Sequence, residues 1–100
     1  MSRGRYKMEK LEDYRTRTLD SYLNDPTFGK TFRDILKFCA TPKTKDEIEQ
    51  YIEKDLGITY EKYKVFAGYF IGALEASGGL RWDKDSRKWV ATEVGKKAVS

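Results

Sequence analysis

At Gly78-Gly79 the hydrophobic period of this chain changes from that of a helix to that of a strand, and few small folds accommodate the change. Before it, Tyr63, Phe66, Ala67, Phe70, Ile71 and Leu74 form one stripe of a helix expected from Thr59 to about Ala76. After it, apolar residues alternate. With a turn centred on Asp85-Ser86, Leu80 falls opposite Ala91, Trp82 opposite Trp89 and Asp83 opposite Lys88. One hairpin face is then Leu80, Trp82, Trp89 and Ala91, and the other is Arg81, Asp83, Lys88 and Val90. Both strands agree on that register, because a slip of one residue would turn every apolar side chain to the wrong face. The two indoles read as a packed cross-strand pair rather than as stacking platforms for bases.

Three further helices are expected upstream. From Glu9 to Asn24, Leu11, Tyr14, Thr18 and Tyr22 fall on one stripe, and Asp25-Pro26 ends it because the residue before proline is pushed out of the helical region. A second helix over about Thr27 to Ala40 has Phe28, Phe32, Ile35, Leu36 and Cys39 on its apolar face. After the Thr41-Pro42-Lys43 turn, Thr44 and Glu47 have the spacing of a capping box, opening a third helix with Ile48, Tyr51, Ile52 and Leu56 inward. Gly57 suits its left-handed C-cap and Thr59 caps the fourth helix. Residues 1–8 read as a flexible basic arm and 9–100 as one domain, which closes with a short helix near Thr92 to Lys97. The fold class expected is α+β, mainly helical.

Much chemistry is excluded by what the chain lacks. It has one cysteine and no histidine, so neither an intrachain disulfide nor a cysteine-based zinc site is available, and the commonest general base is missing. Cys39 lies in line with Phe28, Phe32 and Ile35 and reads as a small core hydrophobe, not a nucleophile. Glu47, Glu49 and Glu53 read as a solvated helix face. No glycine-rich phosphate loop or nucleophile–base pair is present, and we expect no enzyme, no cofactor and no metal. No apolar run approaches the roughly 20 residues of a membrane span, and the N-terminus lacks an apolar signal region, so a cytoplasmic protein is expected.

The net charge is +4, and its location matters more than its size. Residues 1–24 hold six basic and four acidic groups, residues 25–57 six and seven, residues 58–79 two of each, and residues 80–100 six and three. The excess sits at the two ends. Arg3, Arg5 and Lys7 have no acidic residue among them.

The order of elements, and the segment "WVATEVGKKAV" with "TKDEIEQYI" before it, resembles a winged helix-turn-helix domain over about residues 27–98. That resemblance implies a three-helix core with a β-hairpin wing, preceded here by an extra N-terminal helix. It further implies a transcription regulator in which the helix before the wing meets the major groove while the wing contacts backbone or minor groove. In this chain Tyr60, Lys62 and Lys64 would touch the groove, with Arg81, Lys84, Arg87 and Lys88 on phosphates and Arg3 and Arg5 in the arm.

One departure from that pattern opens a second reading. Between Val65 and Leu74 there is no Arg, Lys, Asn or Gln, the residues that read base edges in pairs. The outer face of this helix is instead Val65, Gly68, Tyr69, Gly72 and Ala76, and each glycine costs a helix about 1 kcal/mol relative to alanine. Glycines are expected there if another backbone comes close. Duplex DNA is one partner. The alternative is a protein-interaction module, including a homodimer through the N-terminal helix or through the Gly68/Gly72 face.

Overall fold

Threonine opens four of the six α-helices in the computed structural model, which describes residues 17–100. Thr18 begins α1 (Leu19–Leu23), Thr44 α3 (Lys45–Gln50), Thr59 α4 (Tyr60–Tyr63) and Thr92 α6 (Glu93–Ala98). In each, the hydroxyl accepts from the amide three residues on, satisfying one of the first-turn donors a helix leaves unpaired. At Thr44 the box is complete, because the Glu47 carboxylate also accepts from the Thr44 amide at 2.8 Å. The helix α2 (Gly29–Phe38) starts without such a cap. There the Asp25 carboxylate accepts from the Thr27 and Phe28 amides in the preceding turn.

The expected helix over residues 9–24 is corrected where it is described. Thr18 has extended backbone and serves as a cap rather than a member of the apolar stripe, so α1 starts at Leu19. Its upstream part, and the arm over 1–8 with Arg3 and Arg5, lie outside the described residues. Arg17 closes the start of α1 against the next turn through a 2.8 Å ion pair with Asp25. The third helix continues past Gln50 as one π-helical turn, Tyr51–Asp55, and ends at Gly57 with φ +70°.

The larger correction concerns the helix expected from Thr59 to Ala76. It is two helices. After α4, Lys64 takes left-handed backbone at φ 59°, Phe66 is extended, and α5 begins only at Ala67 and runs to Ala76. Tyr63 and Phe66 therefore leave the core stripe, and both are exposed. The rest of the stripe holds: Phe70 and Leu74 are fully buried among Phe32, Ile35, Leu36, Ile48 and Ile52.

The hairpin has the register read from the alternation. Strands β1 (Leu80–Asp83) and β2 (Lys88–Ala91) are antiparallel, with Trp82 opposite Trp89 and ring centroids 5.2 Å apart. Leu80 and Ala91 enter the core, whereas Trp82, nearer the tip, remains 44% exposed. Val90, expected on the outer face, is buried at 7% exposure.

The hairpin is fastened to the helices along β2. The amides and carbonyls of Lys43 and Trp89 exchange hydrogen bonds of 2.9 and 2.7 Å, and the Ala91 amide donates to Cys39 at 2.9 Å. The turn between α2 and α3 thus acts as a short third strand. At the base, the Thr92 amide and hydroxyl donate to the Gly79 and Gly78 carbonyls at 2.9 and 2.6 Å. Among the described residues the chain is therefore an α+β domain in which backbone hydrogen bonds join a hairpin to a helical core.

Candidate nucleic-acid interface

Two surfaces present the cations that the sequence singles out. The first is the corner between α4 and α5. Lys62 and Lys64 are exposed there, and no ion pair among the described residues engages either. The Tyr60 ring lies stacked on Phe66 at 4.3 Å with 17° between the planes, and the Lys64 ammonium sits 5.6 Å from the Tyr60 centroid. Phe66 is 68% exposed. Full burial of such a side chain would contribute about 1.5–3 kcal/mol, and the break at Lys64 forgoes most of it.

The break changes where Phe66 falls. In an unbroken helix Phe66 would lie one turn before Phe70, which is fully buried. The left-handed Lys64 rotates the next residues out of that line. A shallow cleft of about 450 Å³ forms beside the ring, walled by Phe28, Lys64, Val65, Phe66 and Tyr69.

The second surface is the hairpin tip. Lys84 and Arg87 are exposed and make no ion pair among the described residues. Arg87 is left-handed at φ 57°, and its amide donates to the Asp83 carbonyl at 2.7 Å. Asp83 is occupied within the turn. Its carboxyl is held below the ordinary carboxylate range first by the Ser86 hydroxyl, 2.6 Å away, with Arg81 adding a smaller effect at 4.0 Å. Lys88 is only half-exposed and turns toward the start of α3. There Glu47 is held low chiefly by the Thr44 amide, with Lys88 and Lys43 contributing less.

The described non-glycine residues with positive φ are thus Lys64 and Arg87, one on each surface. A side chain in left-handed backbone costs roughly 1–2 kcal/mol that glycine avoids. Both positions keep a long cation instead. No hydrogen bond, ion pair or ring contact between described residues joins the corner to the tip, so Tyr60, Lys62 and Lys64 form one group and Arg81, Lys84, Arg87 and Lys88 another.

Of the face expected to meet a partner, Gly68, Tyr69, Gly72 and Ala76 lie on α5 and Val65 precedes it. Gly72, Tyr69 and Ala76 are exposed, while Val65 and Gly68 are half-buried. A Cβ added to Gly68 or Gly72 would meet no described heavy atom within 4 Å, so among the described residues no neighbouring backbone accounts for these glycines. Beside Gly72 a second cleft is lined by Arg17, Tyr22, Tyr69 and Ala73. Cys39 is fully buried, and burial pushes its thiol up to about 12, which removes it as a nucleophile.

Phe66 is the site residue that periodicity misassigns. Its spacing is that of a core residue, and no glycine or asparagine at position 64 signals the left-handed turn that exposes it. Among the described residues no helix is long and apolar enough to cross a membrane. Comparison with protein-family models, with curated proteins and with solved structures finds no match to this chain.

Proposed function

We propose that this chain is a winged-helix DNA-binding protein and a small transcriptional regulator that contacts duplex phosphates through its wing and through the corner between α4 and α5. The observation that carries the reading is the pair Lys64 and Arg87, two exposed cations kept in left-handed backbone where glycine would be more stable. Retaining charge there at a cost to folding fits a surface selected for an anionic partner. The hydrogen bonds from β2 to Lys43 and Cys39 fit it too, because a flap already tied to the core has less freedom to lose on binding.

Sequence preference is modest in this reading. Only the four-residue helix α4 brings cations to a groove, and α5 offers none of the paired donors that discriminate bases. Fluorescence anisotropy with a labelled duplex tests the proposal. Six cations, Lys62, Lys64, Arg81, Lys84, Arg87 and Lys88, give a slope of log affinity against log salt of about −5, and Arg3 and Arg5 steepen it. Binding that hardly responds to salt would count against it.

A protein-interaction role is the second reading, favoured by Gly68 and Gly72, which no described atom crowds, on a helix whose single charged residue is Glu75. A partner helix, from a second copy or another protein, would pack closely there. Gly72→Leu should then dissociate a dimer. An unaltered mass by light scattering would argue against that reading.

A further inference from the structure

The exposed ring at the α4–α5 corner is not explained by phosphate contacts. We infer that Phe66, backed by Tyr60 and flanked by Lys62 and Lys64, is a stacking platform for an unpaired nucleobase, so that the protein prefers distorted or looped-out DNA over intact duplex. This rests on the nucleic-acid reading above and narrows its substrate class.

The geometry meets the requirements of such a platform. Tyr60 supports one face of Phe66 at 4.3 Å in nearly parallel orientation, and the 68% exposure of Phe66 leaves ring surface open to solvent. A base laid on Phe66 would extend the existing stack by one member. The adjoining cleft of about 450 Å³ has the dimensions of a small-ligand site, and its walls are mostly apolar with the Lys64 chain at one side. Lys62 and Lys64 supply positive charge beside the ring for the flanking phosphates, against a single carboxylate on that turn, Glu61. An intact duplex keeps its base faces stacked internally and offers Phe66 nothing of this kind. A base already out of the stack pays no unpairing cost.

The backbone supplies an independent indication. A continuous helix would set Phe66 in line with the buried Phe70, yet the chain adopts left-handed Lys64 and an extended Phe66, and the ring is exposed with the cation close to its Tyr60 partner. Strain that moves an aromatic ring out of the core and a lysine next to it produces the combination single-strand binders use, an aromatic face within a basic rim.

The test compares two labelled probes by anisotropy: an intact duplex, and the same duplex carrying one bulged adenine. The wild-type chain should bind the bulged probe about tenfold more tightly, within the range of one base–aromatic stack. With 2-aminopurine at the bulge, binding should quench its fluorescence. Phe66→Leu, which keeps an apolar side chain but removes the π face, should bring the affinities for the two probes together and abolish the quench. Phe66→Trp should retain the preference and the quench, and circular dichroism confirms that each variant folds. Equal affinity for the two probes, or a preference unaffected by Phe66→Leu, overturns the platform while leaving duplex binding in place. Binding of neither probe, as expected if the corner serves a protein partner, overturns both.

Discussion

Gly95 lies directly against the carbonyl of Gly79. A Cβ on Gly95 would overlap that oxygen and fall 3.1 and 3.2 Å from the carbonyl carbon and Cα of Gly79. The same carbonyl accepts from the Thr92 amide, so it is not free to retreat. Gly95→Ala should destabilise the fold by about 1–3 kcal/mol, read as a lower urea midpoint, because backbone gives way less readily than a side chain. An unchanged midpoint would mean that α6 is not clamped to the base of the hairpin.

Stability and binding should move in opposite directions at the two left-handed cations. Glycine relieves about 1–2 kcal/mol of backbone cost. Its greater freedom in the unfolded chain offsets about 0.4–1 kcal/mol of that gain. Arg87→Gly and Lys64→Gly should therefore each raise stability by up to about 1.6 kcal/mol in urea titrations. Each should also lower duplex affinity and flatten the salt slope by about 0.9, the contribution of one phosphate contact. Loss of stability in both variants would show that the cations are there for the fold.

Asp25 should make stability depend on acid pH. Its carboxyl is held below its ordinary value of 3.8, first by the Arg17 guanidinium and then by the Phe28 amide. Because folding favours the ionised form, this stabilisation is complete above about pH 4 and is lost as pH falls through the lower folded value. Asp25→Asn should therefore destabilise the protein at neutral pH, and its urea midpoint should converge on that of the wild type toward pH 2. A constant difference across that range would exclude Asp25 as the titrating group.

The Cys39 thiol should be silent in the native protein. Buried completely, with its ionisation pushed up to about 12, it should not react with a thiol reagent at pH 8 and should react fully in denaturant. Native-state labelling at the rate of a free thiol would place the wing's anchor outside the core, since the Cys39 carbonyl holds Ala91.

Legibility in the sequence followed how local each cause is. The hairpin register, the Thr44–Glu47 box and the Gly57 terminus each depend on residues a few positions apart, and each is found where spacing predicts it. The break after α4 could not be read in this way. Lys64 has no special preference for left-handed backbone, and the stripe through Tyr63, Phe66 and Phe70 satisfies a helix perfectly well. The left-handed Lys64 interrupts that periodicity, and this interruption creates the aromatic corner. The Lys43–Trp89 pairing was hidden for a related reason: one bridging residue between two helices carries no alternation to detect. Likewise, Gly68 and Gly72 pointed to a close neighbour, but glycine marks absent bulk without naming what fills the space.

Amide chemical-shift mapping during titration with an unlabelled duplex at low salt examines DNA contact most directly. Shifts should concentrate at residues 60–66 and 84–88, the corner and the hairpin tip, and should recede on adding salt. Shifts confined to the Gly68–Gly72–Ala76 face, or none at all, would contradict DNA binding through these two surfaces.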